Sequence, residues 1–267
     1  LRSVTRYPVL IAGWFLVVLS AFHVASAFSA ERNPFEAVTF AIPDVWPWAY
    51  EVDDGQLHGS LIEVVQRLSE ITGISVIPRL RPVRRAIVEL RSGSVHFSIL
   101  FQNPELDIDA INVSQVVRVN ILLATMAGSD YPVLLGDLKG KRVAFVRGTY
   151  LGEEFKRDTD VVKVPVHVVD QAVDMLSLGR ISAILASDHN LYRTLSSRQQ
   201  SRDTLRFSEH VPGLNGTLYM SRAASRPEAA RRFSAAIEQM QADGELHRIF
   251  YGKATSANKP ATLLFAQ

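Results

Sequence analysis

Cysteine is absent from all 267 residues. That excludes a disulfide framework, thiol chemistry and thiolate metal sites, and it leaves no thiol for a lipid anchor. Histidine is sparse, and the seven present form no His-x-x-x-His pair, so no metal-ligand spacing exists. Gly-x-Ser-x-Gly and phosphate-loop patterns are missing as well. No sign of charge is in excess. Of the 29 lysines and arginines, Arg2 and Arg6 lie at the extreme amino terminus, and the rest equal the 27 acidic residues in number. Without a basic tract, nucleic-acid binding is not expected. The apolar run Val9–Phe22 is too short to span a bilayer comfortably. Preceded by Arg2 and Arg6 and followed by Ala25-Ser26-Ala27, it reads as a signal peptide, residues 1–27, cleaved after Ala27. A freely soluble periplasmic protein is the expectation.

What is present is a core-forming chain, 47% apolar, patterned as alternating strands and helices. Val38, Phe40 and Ile42 alternate as a strand. A stiff loop follows, Pro43-Asp44-Val45-Trp46-Pro47-Trp48-Ala49-Tyr50, and then a helix over 60–72 stopped by Gly73. Large aromatics at a strand's carboxyl end either pack or face a ligand, and Trp46 and Trp48 are read as one wall of a cleft. Ile74–Pro78 predicts a strand. Pro82 predicts the start of a helix with Ala86, Ile87 and Leu90 inward and Glu89 among the residues facing elsewhere, and Val95–Phe101 predicts a buried strand. This order requires parallel pairing with right-handed crossovers. Val116–Met126 is a long apolar strand fit to cross into a second lobe.

The second lobe repeats the pattern. Arg142–Val146 predicts a strand, Thr149 and Tyr150 the opening of a helix through Glu153, Glu154 and Phe155, and Val161–Val168 a further strand. Asp170–Leu178 predicts a helix and Ile181–Ala186 a strand ending in Ser187-Asp188. Leu218–Met220 is a return strand, and Ser225 with Glu228 forms a capping box before a last long helix.

Several segments in this order resemble the family 3 extracellular solute-binding proteins. They are Trp46-Pro47-Trp48, Asp54-Gly55 with Gly59, Pro82 with Arg85-Ala86, Leu138 to Ala144 with Gly148-Thr149, Leu176 with Gly179-Arg180, and Asp243-Gly244-Glu245-Leu246. The resemblance runs from Pro43 to about Gly252. It implies an α/β fold of two lobes, the type II periplasmic binding fold, each lobe a mostly parallel sheet flanked by helices, joined by a two-strand hinge. Residues 28–122 plus 217–253 would form lobe 1, residues 123–216 lobe 2, and residues 254–267 a flexible tail. It also implies a monomer without cofactor or metal. Such a protein closes on a small polar solute, amino-acid-like or an organic acid or amine, and serves an inner-membrane ABC permease or a sensor protein.

Departures from the family accompany the matches. Family members that bind α-amino acids resemble one another in an arginine that clamps the carboxylate. Here that segment reads Asn103-Pro104-Glu105-Leu106-Asp107, and His96 and Ser182 stand where the family has aspartates. Asp188 matches the aspartate that holds an ammonium group, and Arg85 matches an arginine of a subgroup on the helix facing the cleft. From the residues themselves, Thr149 and Tyr150 at a helix start suit an anionic oxygen. Arg147 beside them offers a forked donor. Phe101, Gln102 and Asn103 leave a strand at the cleft edge, and Asp44 lies in the tryptophan loop. Each has a structural alternative: a core tryptophan, a bare N-cap, a solvated arginine. Two further functions stay open, a ligand-free signalling subunit and a cyclohexadienyl-dehydratase-like enzyme. For the enzyme, Glu63, Glu105, Asp44, Asp188 and His96 are the acid/base candidates.

Overall fold

The computed structural model describes residues 36–128 and 134–252. The expected signal peptide and carboxyl-terminal tail lie outside the described residues. The chain begins with β1 (Val38–Pro43), a small hairpin of β2 (Tyr50–Glu51) and β3 (Leu57–His58), then α1 (Ser60–Thr72) and β4 (Val76–Arg81). Next come α2 (Val83–Ser92), β5 (Phe97–Phe101), α3 (Pro104–Asp109) and the long β6 (Ala110–Met126). β7 (Arg142–Val146), α4 (Glu153–Arg157), β8 (Val162–Val166), α5 (Val169–Ser177), β9 (Ala183–Ser187) and α6 (Asp188–Ser197) follow. A second long strand, β10 (Leu205–Ser221), leads to α7 (Pro227–Ala242) and α8 (Glu245–Tyr251).

Eight strands form one sheet in the order β4-β1-β5-β10-β6-β9-β7-β8. β1 pairs in parallel with β4 and β5, and β7 does so with β8 and β9. Between these groups β6 and β10 run antiparallel to one another along nearly their full length. β5 attaches to Gly216–Met220 of β10, whereas β9 attaches to Ile121–Ala124 of β6. The two parallel groups therefore hang from opposite ends of one ribbon. Register shifts near Val211 and Gly216 interrupt that ribbon between them.

Chemistry explains where the elements depart from expectation. β1 is buried at all six positions, because helices cover both faces of a central parallel strand. β10 is far longer than Leu218–Met220; Pro212, Gly213 and Gly216 look like strand breakers but sit at its irregularities, where missing ladder bonds are tolerated. Gly216 is held to glycine by crowding, since a Cβ there would lie 2.6 Å from Val117 Cγ1. Glu89 is buried in α2 and accepts hydrogen bonds from Arg81 and Arg85 at 3.0 and 2.8 Å, which hold its carboxyl below the usual range against the opposing effect of burial. The expected capping box does not form. Arg226 is the residue at the N-cap of α7, Ser225 Oγ faces Met220 Sδ, and Glu228 pairs with Arg232. Helix α4 starts at Glu153, and the Thr149 N–H donates to Val146 O at 3.2 Å, so Thr149 and Tyr150 belong to a turn and not to a helix tip.

Candidate functional site

The carboxyl ends of parallel strands from both groups converge on one cavity of about 80 Å³. A single water needs roughly 10–15 Å³ by the same measure, so there is room for several heavy atoms. Pro43, Val45 and Ile99 to Phe101 line it from the β1 and β5 side, joined by Val83 and Ile87 of α2. Val146, the turn Gly148–Leu151, and Leu185 to Ser187 line it from the β7 and β9 side, with Asn190 of α6. Val117 and Gly216 of the ribbon close its floor. The polar groups on this wall are Asn103, Thr149, Tyr150, Ser187 and Asn190, and no charged side chain belongs to it.

Trp48 is fixed in the wall by its own backbone. The Leu61 N–H at the start of α1 donates to Trp48 O at 2.8 Å. Gly59, at φ +117°, permits this approach, because a Cβ there would sit 2.5 Å from the same oxygen. The indole is buried and meets Phe101 edge-on at 5.9 Å, His189 at 4.3 Å and Phe250 at 5.6 Å between ring centroids. Trp48 thus joins elements from both sides of the cavity. Burial, with the nearby Arg193 charge, holds His189 at about 3, so its ring is neutral.

Five of the expected site residues meet at the cavity: Trp48, Phe101, Asn103, Thr149 and Tyr150. Asn103 also caps α3, its Oδ1 accepting from the Leu106 N–H at 2.9 Å. Tyr150 hydrogen-bonds Glu153, and burial raises its phenol above the ordinary value, with the Glu153 charge acting the same way. The remaining six are outside the wall. Asp44 and Arg147 are exposed, and Trp46 is half-buried in its loop. Arg85 extends into solvent along Glu89. Gln102 is tied to Asp107 and Asn215. Asp188 is turned to the N–H groups of Asn120 (3.2 Å) and His189 (2.6 Å), and burial raises its carboxyl.

Sequence reasoning missed Asn190 and Ser187. Their i, i+3 spacing at the entry to α6 was the available signal: Ser187 Oγ caps the helix by accepting from the Asn190 N–H at 3.3 Å, which places both side chains at the same end. His96 does not reach the cavity. Its Nδ1 accepts from the Thr39 N–H at 3.0 Å and lies 2.9 Å from Thr39 Oγ1, fastening the chain before β5 to β1.

A larger outer basin of about 570 Å³ opens beside the cavity, sharing Ile87, Asn103 and the Gly148–Leu151 turn with it. Here the charges gather: Arg84, Arg91, Lys156 and Lys163 against Glu105. Lys156 of α4 reaches across to Glu105 of α3 at 2.5 Å, and Gly148, at φ +84°, lets α2 seat against the turn, with the Arg84 Cγ 3.1 Å from where a Cβ would be.

A cavity at the carboxyl ends of two strand groups, bridged by two long crossing strands, defines the two-lobed type II periplasmic binding fold, and this chain has it. Solved structures agree. An ancestral arginine-binding protein bound to arginine matches with a TM-score of 0.69 at 18% identity, covering 81% of this chain and 98% of that one. A substrate-binding protein of an ABC uptake transporter from Streptococcus pneumoniae, with bound histidine, matches at 0.69 and 15%, covering 83% and 95%. A histidine kinase sensor domain with similarity to periplasmic binding proteins matches at 0.69 and 18%, covering 82% and 97%. No protein-family model and no curated protein matches the sequence. Among the described residues, no helix is long and apolar enough to cross a membrane, and no cluster of His, Cys, Asp or Glu could hold a metal ion.

Proposed function

We propose that the chain is a periplasmic solute-binding protein that closes on a small molecule and offers the closed form to a membrane partner. One observation carries this reading. The cavity wall is drawn about equally from the β1–β5 and β7–β9 groups and floored by the ribbon that joins them, so bending the ribbon opens and closes the site. The lobes divide as residues 28–122 with 217–253 and residues 123–216. The change of hands between the β5 attachment at Gly216–Met220 and the β9 attachment at Ile121–Ala124 supports that division. The protein acts as a monomer, exported by a leader cleaved after Ala27.

The partner is an ABC permease or a sensor. A substrate-binding protein of an ABC uptake transporter and a kinase sensor domain share this fold at equal TM-score, which favours both outputs alike. Trp46 and Trp48 serve as intrinsic reporters. Titrating the purified protein with a library of small metabolites is expected to give a saturable change in tryptophan fluorescence and a raised melting temperature for one chemical class. A library without effect on either signal contradicts the reading.

A further inference from the structure

The inner cavity and the outer basin differ in chemistry, and the difference selects a class of solute. We infer that the inner cavity holds an uncharged, predominantly apolar group bearing one hydrogen-bonding function for Asn190, and not the head of an α-amino acid. The inference rests on the solute-binding reading above and specifies what that site takes.

An α-amino acid brings a carboxylate and an ammonium group, and each needs a partner once buried. The wall has no counter-charge for either. Asp188 is not on the wall, and each of its oxygens accepts from a backbone N–H, of Asn120 and His189. Arg147 is exposed, and Thr149 sits in a turn whose N–H is already bonded to Val146 O. What the wall does have is apolar surface: Trp48, Ile99, Phe101, Val146 and Leu185 are typical of it. Against this background Asn190 is anomalous. It is 5% exposed, lines the cavity, and its Oδ1 has no hydrogen-bond partner. A buried amide left unsatisfied is costly, and a solute hydroxyl, indole N–H or amide placed beside it removes the deficit. The charged groups stand outside, where Arg84, Lys156 and Lys163 face the wider basin. Any charge on the solute therefore stays in that basin.

The test uses the whole exported chain, stripped of bound molecules by denaturation and refolding, in calorimetric titrations. Benzyl alcohol, indole and toluene are the neutral probes, and arginine, glutamine and histidine the zwitterions. Benzyl alcohol and indole are expected to bind saturably, toluene about tenfold more weakly than the alcohol, and the zwitterions not at all. Asn190→Leu, close in shape to the native side chain, should erase the tenfold preference for alcohol over toluene; Asn190→Ala serves if the first variant does not fold. Zwitterion binding tighter than any neutral probe overturns the inference and leaves the solute-binding reading standing. An unchanged alcohol preference in the variant overturns the role of Asn190. Should no probe bind, a solvent extract of natively purified protein decides: a neutral apolar molecule supports the inference, and a charged one overturns it. An empty extract removes the solute-binding reading and the inference together.

Discussion

Trp48 and His189 pack ring against ring at 4.3 Å, one from each side of the cavity, and neither can change without being felt at both. Trp48→Ala removes a buried indole touching Phe101 and Phe250 as well, and is expected to cost about 3–5 kcal/mol in urea unfolding. His189 makes a sharper prediction. Burial lowers its folded value to about 3, whereas the unfolded chain takes up the proton near 6.5. Between those two values the unfolded state binds more protons, so stability falls as pH falls. From pH 7 to 5 the loss is about 2 kcal/mol. His96 and His210 are also lowered by burial and act in the same direction. Their share is separated by comparison: His189→Gln should flatten the profile by about 2 kcal/mol relative to the parent over that interval. Equal slopes for the two proteins would remove the desolvated-histidine account.

At the scale of elements, α1 shows how two glycines differ in purpose. Gly73, at φ +70°, ends the helix with its N–H on Ser69 O, and a Cβ there meets nothing within 4 Å. Gly73→Ala is expected to cost about 1–2 kcal/mol, the strain of the left-handed conformation alone. Gly59 combines φ +117° with a backbone oxygen 2.5 Å from any Cβ, so Gly59→Ala should cost more and also displace Trp48. Chemical denaturation of both variants, read by tryptophan fluorescence, checks the order.

The same helix was legible in the sequence over 60–72, because local periodicity marks its apolar face and the left-handed Gly73 stops it. β10 was legible only at Leu218–Met220, since the rest of its pairing with β6 is a long-range matter and its Pro212 and Gly213 look locally like a loop. The site was legible in part. Trp48, Phe101, Asn103, Thr149 and Tyr150 follow strand ends, and strand ends are visible in an apolar pattern. Which way a side chain such as Asp188 or Arg147 turns depends on partners far along the chain, here Asn120 for Asp188. Asn190 escaped because its significance lies in a partner it does not have.

For the whole molecule, Lys156 of α4 and Glu105 of α3 pair across the basin. Both groups are substantially exposed, so solvent screens the pair and it adds little. Glu105→Gln should therefore shift the open–closed balance modestly, seen as a small rise in radius of gyration by solution scattering, without loss of folding. A saturating solute at about 100 times its dissociation constant adds roughly 2.7 kcal/mol. For a chain of this size that is a melting shift of about 5–10 °C.

The absence of native cysteine permits a direct look at closure. Arg85→Cys on α2 and Arg157→Cys on α4 place one exposed label on each side of the cleft, away from the cavity wall. Measured in the stripped protein, the label-to-label distance is expected to be long or divided between two populations. Adding a solute that saturates the tryptophan signal should collapse it to a single short distance. One unvarying distance, with and without that solute, would contradict closure on a ligand.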